Sequence, residues 1–277
     1  MKTKSISQSV SRKFIIILGV IMVLTACKSS RKEASDASAA GEGPKAKEDV
    51  IQNLAGYPIP TSYEITDMLQ KAGASYILSL SNPANKVGNY ISSAEKALNL
   101  GIYGSDLSYA STYMMKQETM QYLESSKRLI DELQISTTFN LDYADRVENN
   151  LDSRDSLINI ISESFYDTWE SLVDNNKDKL AVLVVCGSYI EGLYIATQIA
   201  ATAADNSQFL EIIAHQKNSL NELIGVIEPI KEDVDVEVIY KGLVDLSKIF
   251  ENVGDTLTAD QLEQIISDIE PLRDGIV

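Results

Sequence analysis

Histidine, tryptophan and cysteine are nearly missing from this chain, which has one, one and two of them in 277 residues. Each scarcity removes a class of chemistry. His215 alone cannot supply the paired Glu-x-x-His ligands of a di-iron bundle site, or the two or three imidazoles of common zinc sites. It is the one base a Ser-His-Asp triad could use, and Glu211, four residues earlier on the same helical face, is a sufficient partner for it. No phosphate-cradling Gly-rich loop and no dinucleotide fingerprint occurs. Cys186 lies inside an apolar run and is expected to be a small buried hydrophobe, with no disulfide to Cys27. No catalytic residue, metal or cofactor is therefore expected, and the chain is read as non-enzymatic. Period-two alternation is also missing over any useful length, so no sheet is expected.

Basic residues are scarce too, 24 against 40 acids. Nine of the 24 and only four of the 40 precede Asp49, which leaves residues 49–277 with a net charge of −21. Such a surface repels nucleic-acid backbones and anionic lipid, and excludes neither a basic partner nor plain solubility.

The N-terminus carries a different message. Lys2, Lys4, Arg12 and Lys13 precede the apolar run Phe14–Leu24, which is too short to span a bilayer at about 20 residues and fits a secretory signal. The run ends in Leu24-Thr25-Ala26-Cys27, which resembles the lipobox of bacterial lipoproteins. That resemblance implies removal of residues 1–26 and acylation of Cys27 with diacylglyceryl and fatty acyl (palmitate-type) chains. Two or more chains anchor a protein stably where one does not. Lys28 in place of an aspartate implies the outer membrane, and the basic Lys28–Lys32 stretch implies its periplasmic face. Residues 28–48 lack large apolar side chains and read as a disordered tether spanning roughly 25 Å.

From residue 49 onward the spacing predicts a single all-α acidic domain of about nine antiparallel helices in a globular or slightly curved bundle. Its centre is Leu180–Ala203, apolar on almost every face with Glu191 as its only charge. The first helix is expected to start at a Thr61/Glu64 capping box after Pro60 and to run through Gly73 to Leu80. Asn82-Pro83 is expected to start a second helix that stops at Gly101, with Gly101–Asp106 a turn into a long third helix ending near Leu133. Later segments are centred on Leu141–Leu151, Leu157–Leu172 (capped by Asp152 or Ser153), Phe209–Ile227, Val236–Val253 and Leu262–Ile269. The last begins at a Thr258/Gln261 capping box and ends at Pro271.

Two clusters could carry function. Glu191 with Tyr189, Tyr194, Gly187 and Gly192 could line a small-molecule pocket, because an isolated carboxylate in an apolar helix needs a partner or a raised pKa. The alternative is a hydrogen-bonded carboxylate that fixes helix packing. Tyr103, Asp106, Tyr109 and Tyr113 could form a surface contact for a glycan or peptide, or simply core edges. The stretches Gly101–Tyr109 and Gly187–Tyr194 resemble stretches in uncharacterised helical lipoproteins of Bacteroidota, a likeness that extends over most of the body and implies no activity or ligand. The leading expectation is an anchored envelope protein that binds a partner protein or organises an assembly. A ligand-binding lipoprotein with a pocket around 180–203 is the alternative, and an enzyme using Glu191 or His215 the least favoured.

Overall fold

The computed structural model describes Ser62–Ile135 and Phe139–Val277. The expected signal segment, Cys27, the expected tether and Thr61 lie outside the described residues. Among the described residues there are ten α-helices, three short 3-10 turns and no strand. The helices are α1 (Ser62–Lys71), α2 (Ser93–Thr112), α3 (Lys116–Glu132), α4 (Phe139–Asn149), α5 (Arg154–Asp174), α6 (Asp178–Thr202), α7 (Ser207–Ala214), α8 (Gln216–Ile227), α9 (Glu237–Glu251) and α10 (Ala259–Asp274).

Helix α6 is the predicted central helix. It packs on α1, α2, α5, α7, α8 and α10, and only with such company can a helix be apolar all round. It is long and apolar enough to cross a bilayer, yet 89% of its apolar window is buried by these neighbours. The predicted seams of the last two long helices hold. Val236, Ile239, Leu243, Leu246, Phe250 and Val253 are all buried, and Thr258 and Gln261 form the reciprocal capping box that opens α10. Ser153 caps α5 by accepting from the Ser156 N–H.

The first half of the chain departs from the expectation, and each departure has a physical cause. Gly73 has φ +90°, so it ends α1 as a left-handed residue instead of lying inside a longer helix. Asn82-Pro83 starts only a 3-10 turn, Ala84–Asn89, and the true helix start is the Ser92/Glu95 capping box of α2. Helix α2 then runs straight through Gly101–Asp106, the predicted turn. Its actual end is marked by Met114 at φ +57°, whose neighbour Met115 donates its N–H back to Ala110. That closure is ordinarily a glycine's, so a methionine gives no warning of it. Gln134 (φ +52°) closes α3 and Asn176 (φ +56°) closes α5 in the same manner. Near the C-terminus the predicted Phe209–Ile227 helix is two, joined at His215, and α10 continues past Pro271 for a further turn.

Gly101 is a contact residue and not a stop. A Cβ there would lie 2.0 Å from the Val184 carbonyl oxygen of α6. Reciprocally, a Cβ on Gly187 of α6 would lie 2.0 Å from the Leu98 carbonyl oxygen of α2. The two backbones touch, and α2–α6 is the most extensively packed helix pair. A glycine costs about 1 kcal/mol in a helix interior, which the dispersion gained along this close crossing offsets.

Candidate functional site

Four residues past the glycine crossing, the same two helices carry acids inward. Ser105 of α2 donates to the Ser188 carbonyl of α6 at 2.8 Å and fixes the register there. Asp106 and Glu191 follow, both with no exposed surface. Arg273, in the last turn of α10, closes on Glu191 through two bonds, Nε to Oε2 at 2.6 Å and Nη2 to Oε1 at 2.8 Å. The planar fork matches the carboxylate, and the pair is shielded from water. Nη2 also donates to the Leu80 carbonyl at 3.1 Å. The Tyr194 ring lies 4.2 Å from the guanidinium carbon, a cation–π cover on its outer side.

Two buried carboxyls thus face one guanidinium. Burial raises the Asp106 pKa well above the usual carboxylate range, and the Glu191 charge raises it further. Burial raises Glu191 as well, opposed by the bonds and charge of Arg273 and by a hydrogen bond with Asp106. The self-consistent assignment is a neutral Asp106 hydrogen-bonding to an ionised Glu191 that is paired with Arg273. Asp106 Oδ2 also accepts the Asn82 N–H at 3.1 Å. The Asn82 side chain donates to Tyr90 Oη at 2.8 Å and Asn99 Oδ1 at 3.4 Å. Asn99 in turn donates to the Ile276 carbonyl at 2.9 Å. One polar chain therefore crosses the interior from the 78–92 segment to the end of α10.

Above this chain the 78–87 segment and α3 form a groove of about 920 Å³, with Arg273, Ser81 and Tyr122 among its lining residues. Its volume is in the range of small-molecule sites. Ser81 is 6% exposed, and its hydroxyl lies within hydrogen-bonding reach of Asp106, Tyr76 and Tyr122, closing a buried polar cluster around the Asp106 carboxyl. Asn82 Oδ1, one residue on, is buried without a partner. A second cavity, between α2, α5 and α6, is smaller at about 40 Å³ and mostly apolar.

The predicted residues are placed as follows. Glu191 is buried in a closed ion pair and does not line the groove, so the pocket is not built around α6 as expected. The packing alternative describes Glu191 correctly. Tyr189 is buried and donates toward the Gln216 carbonyl at 3.4 Å, Gly187 is used for the α2 contact, and Gly192 is buried in α6. Only Tyr194 comes near Glu191's partner. The surface contact of Tyr103, Asp106, Tyr109 and Tyr113 is overturned. Tyr103, Asp106 and Tyr109 have no exposed surface and Tyr113 is half-buried, because α2 continues where a loop was expected. Tyr109 Oη instead accepts the Ile77 N–H at 2.8 Å, and Tyr103 Oη donates to the Pro83 carbonyl at 3.0 Å. Tyr76, Tyr109 and Tyr113 cluster with ring centroids 4.6 to 5.7 Å apart. His215 is exposed at the α7–α8 joint, away from the Asp106–Glu191–Arg273 cluster in sequence and contacts. Cys186 is buried as expected, and burial pushes its thiol up to about 12. No group of three or more His, Cys, Asp or Glu among the described residues could hold a metal.

Sequence reasoning missed Arg273, Ser81 and Tyr122. A signal for Arg273 existed. It continues the buried Leu262, Ile265, Ile269 face at the next helical step, so it is a lone cation on an apolar seam, just as Glu191 is a lone anion on one. Ser81 and Tyr122 had no such signal. No family model matches the chain, and no curated protein or solved structure matches it either.

Proposed function

We propose that this chain is a non-enzymatic, lipid-anchored protein of the cell envelope that binds a small polar ligand in the groove between residues 78–87 and α3. The observation that carries the reading is the groove itself, about 920 Å³ and lined by hydroxyl and amide side chains together with Arg128 and Arg273. A preformed concavity with a few buried polar atoms is the usual form of a ligand site. Anchoring through Cys27 at the periplasmic face of the outer membrane rests on the lipobox resemblance, and Cys27→Ser should move the protein to the soluble fraction. Native mass spectrometry of wild type and Ala84→Trp tests the groove, since Ala84 lines it. A small non-covalent adduct on wild type and not on Ala84→Trp is expected. An identical spectrum from both proteins sinks the reading.

One observation favours the partner-protein alternative. Val234, in the turn that precedes α9, and Val238, in its first turn, are 83% and 69% exposed. In-cell crosslinking to an envelope protein that survives Ala84→Trp and is lost in Val234→Lys/Val238→Lys would shift weight to it.

A further inference from the structure

The smaller cavity, between α2, α5 and α6, shares no lining residue with the groove. Leu100, Leu107, Ile130, Ile161, Phe165 and Val184 give it apolar walls, and its described lining holds no charged side chain. Gly104, Ser162 and Phe165 are half-buried while the rest of the lining is buried, so the cavity opens at those three. A Cβ on Gly104 would meet only Phe165, at 4.0 Å, so the glycine leaves the mouth unblocked.

Most hydroxyls around the cavity are spent on the bundle itself. Ser108 Oγ donates to the Gly104 carbonyl at 2.9 Å, and Ser164 Oγ to the Ile161 carbonyl at 2.9 Å. Ser188 Oγ lies 3.2 Å from Ser105 Oγ. Ser126 is different. It is 5% exposed, it lines the cavity, and its Oγ has no hydrogen-bond partner. Buried hydroxyls are nearly always paired, so Ser126 marks a place for one polar atom.

Size, charge and polarity each narrow the occupant. A volume of about 40 Å³ takes about three water-sized groups. An ion would lose its water against apolar walls that offer no counter-charge. Each molecule of a water cluster needs roughly two to four polar partners, and these walls offer one unused hydroxyl. An aliphatic group fits the walls, and a single polar atom on it satisfies Ser126. We infer that the cavity binds a small uncharged aliphatic molecule with one polar atom, of the class of short-chain alcohols and ketones, which enters past Gly104 and Phe165 and pairs with Ser126 Oγ. This is a second site, independent of the groove.

The test is methyl NMR of the full chain carrying Cys27→Ser, titrated with 1-butanol, butyrate, butylammonium and xenon. Saturable shifts of the Ile130, Ile161 and Val184 methyls by 1-butanol are expected, with none from the two ions. Ser126→Ala should weaken 1-butanol about fivefold, the worth of one hydrogen bond, and leave the xenon shifts unchanged because the cavity is intact. Gly104→Ala, which adds a methyl at the mouth, should weaken 1-butanol by about threefold or more. Shifts from xenon without shifts from 1-butanol would reduce the cavity to an apolar void and overturn the inference. Equal binding of butyrate or butylammonium would overturn it too. So would 1-butanol binding that Ser126→Ala does not weaken, with ordered water then the partner of that hydroxyl.

Discussion

Helices α2 and α6 meet twice, and the two meetings obey different rules. At Gly101 and Gly187 the backbones touch with nothing between them. About one turn further on, at Asp106 and Glu191, they face each other through acids that need a third helix to be tolerated. The first contact is settled by shape alone. The second is settled by charge, and its counterion comes from α10. The close approach at the glycines is what brings the acids within reach, so geometry at one end creates the electrostatic problem at the other.

The comparison is broken most severely at the glycines. Gly101→Ala or Gly187→Ala drives a Cβ to 2.0 Å from a carbonyl of the facing helix, where no rotamer change can relieve it. A loss of about 4 kcal/mol or more is expected, at the far end of what single substitutions do. Gly104→Ala is the control. It lies on the same helix, but its Cβ would meet only Phe165 at 4.0 Å. It should stabilise by about 0.5–1 kcal/mol through helix propensity. Urea titration reads all three, and equal midpoints would remove the glycine contact from the account.

Next in size is Arg273→Met, which strands the buried Glu191 charge and should cost about 3 kcal/mol. Glu191→Leu added to it should recover most of that loss, since replacing both partners with apolar groups removes the desolvation problem. Failure of the second substitution to rescue the first would mean that Arg273 acts through Leu80 and Tyr194 instead.

The smallest effect concerns Asp106. Its folded-state pKa is raised, so the folded protein holds a proton that the unfolded chain releases. Stability is therefore greatest below the ordinary carboxylate range and declines as pH rises through that range toward the raised value. Glu191, raised by burial, contributes with the same sign. Exposed acids with lowered values, such as Glu95 and Glu132, contribute with the opposite sign, their stabilisation fading as pH falls. Asp106→Asn should flatten the decline and change stability at neutral pH by no more than about 1 kcal/mol, because an amide resembles the neutral acid. Melting temperature against pH for the two proteins gives the comparison, and parallel curves would assign the shared proton elsewhere.

These contrasts also explain what could be read from the residues alone. Where a helix has one apolar stripe, as α9 does, spacing is enough to place it. Helix α6 is identifiable because its apolar faces exceed any stripe. Helix α2 is as deeply buried as α6 but is built from Gly, Ser, Asn and Asp along with its apolar residues. Those residues usually mean a turn, and only the facing helix turns them into contacts. Local preference was overruled by tertiary packing. For the site, Glu191 was visible as a misplaced charge, and Arg273 had the same mark on a different helix. Their pairing over 82 positions was not visible, because it depends on how α6 and α10 lie together. The groove could not be read at all, since its two walls belong to a 3-10 turn and to the outer side of α3.

The placement of Arg273 has a consequence for the order of synthesis. Its partners, Leu80 and Glu191, emerge 193 and 82 residues before it, and Asn99 waits for the Ile276 carbonyl over 177. A chain delivered from its N-terminus onward carries Glu191 without its counterion until the end of α10 arrives. Fragments that stop short of that turn lack the clasp joining both halves of the sequence, and they offer a protease two acid-bearing helices that cannot close.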